Sequence, residues 1–220
     1  MTNRDGNVAF KVTYTDSEWS GVCSPELAAL NFKRQTYCRE QSQNKYNCQH
    51  SKYSDPAKFE LNGFPCFDSV AQLGLLFYAG HYHSAEKSNL PKTANYIKKN
   101  KIAVFTSIKP FAEEQERFIF AIGRINEIEI LDDSNGSYPV YLCDQDSAII
   151  FKNNRPLFWK YYTNENNPTE ANWRSLLFRY LEDDLVEEIL NDIAHTHRYP
   201  GKYRKKARGL LAHLKEMNES

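Results

Sequence analysis

The sequence predicts an α+β fold in which a small, bent antiparallel sheet or barrel is followed by helices. Short apolar runs with the two-residue alternation of strands occupy the first and middle parts of the 220-residue chain, and polar turn segments separate them. Residues 169–216 change to the helical period, and no repeat of strand, helix and strand occurs. We therefore expect one domain over residues 1–220, without the doubly wound sheet of nucleotide-binding folds.

The predicted strands begin near the start of the chain. Val8, Phe10 and Val12 alternate with small or polar residues, which indicates a strand with one buried face. Gly123 divides a second long apolar stretch, and we expect it at a bulge or at a close approach of two chain segments. The other predicted strands cover residues 102–106, 117–122, 125–131, 138–143 and 148–151.

Helices are predicted from caps and from apolar periodicity. A short helix is expected over residues 24–31, and residues 68–79 form either a buried helix or a helix followed by a strand. Thr169 is the expected N-cap of a helix whose apolar face includes Trp173 and Leu181.

Two further helices complete the C-terminal helical part. Asp184 and Glu187 have the spacing of a capping box at the start of the first of them. Pro200 and Gly201 precede the second. Its inner stripe is predicted to consist of Tyr203, Ala207, Leu210, Leu211 and Leu214.

A cysteine-rich insertion is predicted over residues 19–66, a polar segment with little apolar periodicity. A loop of this length needs a function or a cross-link to be part of a compact domain. In a reducing compartment, clustered thiols favour metal over disulfides, and four of them match the tetrahedral preference of zinc. The predicted zinc ligands are Cys23, Cys38, Cys48 and Cys66.

Two alternatives to this four-cysteine site stay open. His50 follows Cys48 by two residues and is able to replace one thiolate, which would give a site with three cysteines and one histidine. The spacings also lack the close C-x2-C pair of typical zinc sites, so the thiols are alternatively unrelated, with some simply buried. Cys143, at the end of a predicted strand, is interpreted as a core residue.

A candidate ligand pocket is predicted around an aromatic segment with two histidines next to a glycine. Aromatic faces and polar ring edges together suit a pocket that stacks a planar ligand and recognises its rim. Ordinary packing and hydrogen bonding are the simpler explanation of the same residues, as the negative end of a helix dipole is for His195 and His197. The pocket residues are Tyr78, His81, Tyr82 and His83.

The last predicted helix carries a cluster of positive charge. The whole chain has 28 basic and 28 acidic residues, so any binding of nucleic acid has to come from a local patch. Such a patch would neutralise phosphates and make binding dependent on salt. The alternative is a solvated face that balances the acidic helix before it. The predicted backbone contacts are Lys202, Arg204, Lys205, Lys206 and Arg208.

Common enzyme signatures are missing from the sequence. It contains no Walker loop, G-x-G-x-x-G, G-x-S-x-G or HExxH motif, so we expect a binding protein rather than an enzyme. A metal-dependent hydrolase or nuclease that uses His81, His83 and Glu86 stays an alternative. No apolar run is long enough to span a bilayer and no secretory signal is recognised, which predicts a cytoplasmic protein without a membrane partner.

Two resemblances to known families extend these expectations. The segments KIAVFTS, from Lys101, and RFIFAIGRINEI, from Arg117, resemble the paired strands of PUA-like domains of the EVE and YTH kind. The resemblance implies a small barrel that binds modified bases in an aromatic pocket. The cysteine cluster and the segment WRSLLFRYL, from Trp173, are similar to amino-terminal modules that precede nucleases in bacterial defence proteins. This implies a nuclease or another effector protein as partner.

These observations lead to one main functional hypothesis and two alternatives. We expect a zinc-stabilised module that binds DNA or RNA, with a modified base in the aromatic pocket and the basic helix on the backbone. The alternatives are the metal-dependent hydrolase and a regulator that binds a protein through its C-terminal helices.

Overall fold

The computed structural model describes residues 6–15, 23, 25–34, 67–79, 92, 94–133, 136–164, 167–174 and 176–219. Within these ranges the chain forms an α+β fold with a seven-stranded sheet and C-terminal helices, as the sequence predicts. The strands are β1 (Asn7–Lys11), β2 (Leu76–Tyr78), β3 (Ile102–Ser107), β4 (Phe118–Asp133), β5 (Gly136–Cys143), β6 (Ile149–Ile150) and β7 (Phe178–Leu181). The helices are α1 (Pro25–Arg34), α2 (Phe67–Gly74), α3 (Asp183–His195) and α4 (Gly201–Asn218).

The sheet is mixed and not antiparallel throughout, which corrects the sequence prediction. Its strand order is β2-β5-β4-β3-β1-β7, and β6 pairs with β4. β1 runs parallel to β3, with Val8 opposite Ala103, and antiparallel to β7, with Val8 opposite Tyr180. The long connection between β1 and β3 permits this parallel pairing, because a parallel pair needs a crossover and not a tight turn.

The sheet is strongly bent, as expected. The rings of Phe10 on β1 and Phe77 on β2 stack with their centroids 3.7 Å apart, although three strands separate β1 from β2 in the sheet. Apolar side chains fill the concave side of the bend. This inner core contains Val8, Phe10, Val12, Ala71, Leu75, Phe77, Phe105, Phe120, Ile125, Tyr141 and Cys143, among others.

The last two helices cover the convex side of the sheet. The inner stripe predicted for α4 is confirmed, because Tyr203, Ala207, Leu210, Leu211 and Leu214 are all buried. Val186, Ile189, Leu190 and Ile193 of α3 join them against the sheet. The predicted capping box of α3 is wrong, since the helix begins at Asp183 with Glu182 as N-cap. Asp184 therefore lies in the first turn, where its charge favours the positive end of the helix dipole.

The helix predicted from Thr169 is wrong, because none of the described residues from 167 to 181 is helical. Residues Phe178–Leu181 form strand β7, which pairs with β1 along its whole length. Trp173 is buried as predicted, but its indole N–H donates to the carbonyl oxygen of Leu176 at 2.9 Å. The apolar pattern of this short segment fits a strand as well as a helix. The segment forms a strand because it pairs with the otherwise open edge of β1.

β1 is buried on both faces, whereas the sequence predicts one buried face. Val8 and Phe10 belong to the inner core, and Ala9 belongs to the core under α3 and α4. The sequence pattern predicts that Ala9 faces solvent, but in the structure the helices cover it completely. Only Lys11 of this strand is half-buried.

A buried polar network fixes β1, β3 and the two covering helices to each other. Asn7 of β1 donates to a carboxylate oxygen of Asp183 at 2.5 Å and accepts from the amide of Ile102 at 2.9 Å. Lys101 donates to Asp183 and to the side-chain oxygen of Asn218, each at 3.0 Å. Each buried donor in this group thus has a partner, which removes the cost of placing it in the core.

β4 joins the two apolar runs on either side of Gly123 into one strand. A Cβ atom on Gly123 would lie 3.1 Å from the Cβ of Cys143 and 3.3 Å from that of Ala148, so the predicted close approach is confirmed. The bulge lies further along, between Ile125 and Glu127. Burial raises the pKa of the Cys143 thiol, which agrees with its interpretation as a core residue.

No helix in the described part of the chain combines the length and the apolar character that crossing a membrane requires.

The carboxyl of Asp68 on α2 makes folding stability depend on pH. It accepts a hydrogen bond from the Thr13 amide at 2.8 Å, and burial raises its pKa to about 6 from the ordinary 3.8. Between about pH 4 and pH 6 the folded state therefore binds a proton that the unfolded state lacks, so stability falls as the pH rises through this window.

We expect Asp68→Asn, which keeps the acceptor, to raise the free energy of unfolding at pH 7 by roughly 2 kcal/mol and to flatten its dependence between pH 4 and pH 6. Urea unfolding at several pH values measures both effects. Asp146→Asn, at an exposed carboxylate, is the control and should change neither. A steeper dependence of the free energy of unfolding on pH for Asp68→Asn would contradict the raised pKa of Asp68.

Candidate functional site

The predicted zinc ligands lie mostly outside the described residues. Only Cys23 is described; it is half-buried, and the side-chain amide of Asn31 on α1 donates to its sulfur at 3.7 Å. Cys38, Cys48, Cys66 and the alternative ligand His50 lie outside. Among the residues that the structure describes, no three histidine, cysteine or acidic side chains are grouped to hold a metal. The zinc site stays a prediction.

The predicted aromatic pocket is described only at Tyr78. This residue ends β2, is 8% exposed, and has its ring centroid 4.8 Å from that of Tyr138 on β5. His81, Tyr82 and His83, together with Glu86 of the hydrolase alternative, lie outside the described ranges. The assignment of these residues to a ligand pocket is therefore still a prediction.

The basic helix is described completely, and it separates the five predicted cations into two groups. Lys206 supports the fold, because its ammonium group donates to the carbonyl oxygen of Ala148 at 2.7 Å. Arg204 is also half-buried, with a guanidinium nitrogen 3.4 Å from Nδ1 of His197. The remaining three are exposed, and we refer to them as the cationic face of α4: Lys202, Lys205 and Arg208.

The cationic face is not neutralised by the acidic helix that precedes it. The described ion pairs of α3 involve Asp183 with Lys101, and Asp192 with Lys160 and Arg198. Within the described parts of the chain, no carboxylate forms an ion pair with the cations of α4 at positions 202–208. In the described ranges the ion-paired carboxylates of α3 are therefore balanced by cations outside α4, and the charge balance between the two helices that the sequence leaves open is not observed.

More positive charge lies close to the first turn of α4. The ring of Phe151 packs on Tyr203 with centroids 5.4 Å apart, and the Asn154 side chain donates to the carbonyl oxygen of Arg198 at 3.4 Å. These contacts hold the exposed Lys152 near the start of the helix. Residues 196–215 contain no acidic residue, so the local potential along this segment is positive.

A second candidate site, which the sequence did not predict, lies at the carboxyl ends of the parallel strands β1 and β3. A cavity of about 220 Å³ opens there. It lies between the end of β1, the loop after β3, and the turn that leads into β4. Its lining includes Lys11, Tyr14, Asn31, Lys109, Phe111, Glu114 and Arg117.

Arg117 is the most buried charge in this lining. Its side chain is 1% exposed, and two of its nitrogens donate to the carboxylate of Glu114, at 2.5 and 3.0 Å. The indole N–H of Trp159 donates to the same carboxylate at 3.2 Å, and the guanidinium lies 4.8 Å from the ring centroid of Trp173. The third nitrogen, Nη1, has no hydrogen-bond partner among the described residues.

Positive charge exceeds negative charge around Arg117. Lys11 lies close enough that desolvation, first, and then the charge of Arg117 lower the pKa of its ammonium group. Arg179 packs on the same tryptophan, 5.4 Å from the ring centroid of Trp173, and its Nε is buried without a partner among the described residues. Glu114 balances one of the three cations. A buried excess of charge is costly, so such an arrangement suits an anionic ligand.

The sequence contains a signal for this cavity in two charges at the ends of apolar strands. Lys11 interrupts the apolar strand Val8–Val12, and Arg117 begins the apolar run RFIFAI. A charge at the end of an otherwise buried strand is unusual and indicates either a partner or a site. Nothing in the sequence shows, however, that these two strand ends meet, because their proximity depends on the parallel pairing of β1 with β3.

The chain was compared with protein-family models, with curated proteins and with solved structures, and none of these comparisons found a match.

We expect Lys11→Met to stabilise the protein by roughly 1 kcal/mol at pH 7, because it removes a partly buried cation that Arg117 and Arg179 repel. The pKa of Lys11 is lowered in the folded state. The charged ammonium group therefore destabilises the fold at neutral pH, and this destabilisation disappears as the pH rises towards 10.5. Thermal unfolding at pH 7 and pH 10 measures the gain, which should shrink at the higher pH. Lys33→Met, at an exposed lysine of α1, is the control. A lower melting temperature for Lys11→Met at pH 7 would refute this account.

Proposed function

We propose that this protein binds nucleic acid, with the cationic face of α4 in contact with the phosphate backbone. The observation that carries the proposal is that Lys202, Lys205 and Arg208 are exposed and form no ion pair with any carboxylate in the described ranges. Cations that are already paired contribute little to phosphate binding, because the ion pair has to be broken first. Unpaired cations on one helix are free to neutralise phosphates and release counterions.

The fold supports this proposal by holding α4 rigidly. Five apolar residues of the helix are buried against the sheet. Near its first turns Lys206 is anchored to Ala148, and near its end His213 lies 2.7 Å from the carbonyl oxygen of Asn100. The cationic face is therefore presented in a fixed orientation, which lowers the entropic cost of binding.

The sequence adds a base pocket, a zinc ion and a partner protein to this proposal. In it, Tyr78, His81, Tyr82 and His83 form the pocket for a base, and a modified base is the ligand that the PUA-like resemblance suggests. Zinc bound by the four early cysteines orders the region before this pocket. The resemblance to modules of bacterial defence proteins adds a separate nuclease or other effector as partner.

Charge reversal on the cationic face tests the backbone contact. We expect Lys205→Glu/Arg208→Glu to weaken binding of DNA or RNA at least about tenfold at low salt, and to reduce the slope of log affinity against log salt by about two. Fluorescence anisotropy with short labelled oligonucleotides, measured at several salt concentrations, gives both quantities. Lys206 is left unchanged, because its substitution would also disturb the fold.

The matched control is Lys33→Glu/Lys99→Glu, which alters the net charge equally at two exposed lysines outside α4. It should bind nearly as well as the unmodified protein. Equal losses of oligonucleotide affinity in both double variants would indicate that only the total charge of the protein matters. No affinity for either nucleic acid at low salt would end the proposal.

Metal analysis tests the zinc part separately. We expect one zinc per chain by native mass spectrometry, and we expect Cys38→Ser to reduce this content and lower the melting temperature. Cys143→Ala is the control, because Cys143 is buried in the core and should leave the zinc content unchanged. A metal-free native protein, or a full zinc content in Cys38→Ser, would contradict the predicted ligand set.

A further inference from the structure

We propose that the cavity at the carboxyl ends of β1 and β3 binds a nucleoside monophosphate, either free or as the terminal nucleotide of a strand. Lys11 and Arg117 hold the phosphate group, and Phe111 stacks on the base. This site is independent of α4, because no residue of that helix lines the cavity.

The charge of the lining favours a phosphate. Among the described residues of the lining, Lys11, Lys109 and Arg117 are cationic, and Glu114 is the one carboxylate. Glu114 accepts hydrogen bonds from two nitrogens of Arg117 and from Trp159, so its negative charge is offset within the protein. The two remaining positive charges match a phosphate monoester, which carries close to two negative charges at neutral pH.

Arg117 is oriented before any ligand arrives. Glu114 accepts hydrogen bonds from two of its nitrogens, and the central carbon of the guanidinium group lies 4.8 Å from the ring centroid of Trp173. Nη1 is buried and has no partner among the residues that the structure describes. Since an unsatisfied buried donor is costly, Arg117 would gain from an acceptor that reaches Nη1 from the cavity that this residue lines.

Lys11 supplies the second contact to the phosphate. Its ammonium group makes a 3.3 Å hydrogen bond to the carbonyl oxygen of Arg174, and this leaves donors for a ligand, since an ammonium group has three. Desolvation and the neighbouring Arg117 lower its pKa in the ligand-free protein. A bound anion reverses this effect, so binding is accompanied by proton uptake wherever Lys11 is partly deprotonated.

Phe111 makes a nucleoside the most suitable carrier of the phosphate. It lies in the cavity lining, is 68% exposed, and has a backbone φ of 68°. Both the exposure of a large apolar ring and a positive φ at a residue with a Cβ atom are unfavourable, and such strain is found preferentially at ligand sites. Tyr14, also in the lining, adds a second aromatic ring. Aromatic side chains next to a cationic floor are typical of sites for single nucleotides.

The dimensions and the position of the cavity agree with this ligand. A volume of about 220 Å³ is smaller than a typical site for a drug-sized molecule. It suffices for a phosphate and part of a sugar, with the base lying against the exposed ring of Phe111. The cavity lies outside the carboxyl ends of the parallel pair β1 and β3, the position at which open α/β sheets bind their ligands.

Calorimetry with small ligands tests the proposal directly. The probes are the four common nucleoside 5′-monophosphates, the corresponding nucleosides and inorganic phosphate. We expect a monophosphate to bind most tightly, phosphate weakly, and nucleosides without detectable heat. Short oligonucleotides with a 5′-phosphate or a 5′-hydroxyl distinguish the two sources, because only a site for strand ends would bind the 5′-phosphorylated oligonucleotide more tightly than the 5′-hydroxyl one.

Two variants assign the contacts. Lys11→Met should weaken binding of both the monophosphate and inorganic phosphate at least about tenfold, without loss of thermal stability. Phe111→Gly relieves the positive φ and removes the ring, so it should reduce monophosphate affinity about tenfold and leave phosphate affinity unchanged. Ile130→Ala, at an exposed apolar residue of β4, is the matched control for Phe111→Gly and should change neither affinity.

Several results would overturn the inference. Absence of binding for all monophosphates up to about 1 mM, or equal binding of nucleosides and monophosphates, would exclude a phosphate site. Unchanged affinities in Lys11→Met would exclude this cavity. The nucleic-acid proposal fails or survives separately, because Lys205→Glu/Arg208→Glu should retain mononucleotide binding and Lys11→Met should retain binding of 5′-hydroxyl oligonucleotides.

Discussion

The burial of β1 on both faces is the constraint on which the rest of the molecule depends. The strand lies between β3 and β7 and supplies side chains to two cores, one inside the bend of the sheet and one under the C-terminal helices. A strand buried in this way has no solvent face, so both covering layers have to form together. Asn7 makes this coupling specific, because it bonds at once to β3 and to the first residue of α3.

Both candidate sites follow from this arrangement. The parallel pairing of β1 with β3 brings the carboxyl ends of these two strands to the same edge of the sheet. The cavity forms between the loops that follow them. The helical layer that covers Ala9 turns the opposite side of α4 outward, with cations that form no ion pair with described carboxylates. One candidate site is thus a concave cavity and the other is an open surface, and we propose a small anion for the first and an extended one for the second. Neither needs residues of the other.

The elements that could be predicted from the sequence are those whose structure depends on the local pattern of apolar and polar residues. The inner stripe of α4 depends on residues of that helix alone and was found as predicted. The close approach at Gly123 was also found, although the atoms involved belong to Cys143 and Ala148, because a glycine within an apolar strand marks such a position by itself. Strand β7 was mistaken for a helix because its pairing with β1 is a tertiary contact that local periodicity does not contain. The cavity was missed for the same reason. Lys11 and Arg117 are far apart in sequence, and only the sheet order brings them together.

The central position of β1 also has a consequence for how the chain reaches its native state. Val8 pairs with Ala103 on one side and with Tyr180 on the other, so both partners emerge from the ribosome long after β1 itself. Until then two unpaired edges with alternating apolar side chains remain accessible, and contacts of such large sequence separation form slowly. Nascent chains are consequently exposed to intermolecular β-pairing during synthesis, and chaperone capture of this early segment would protect them.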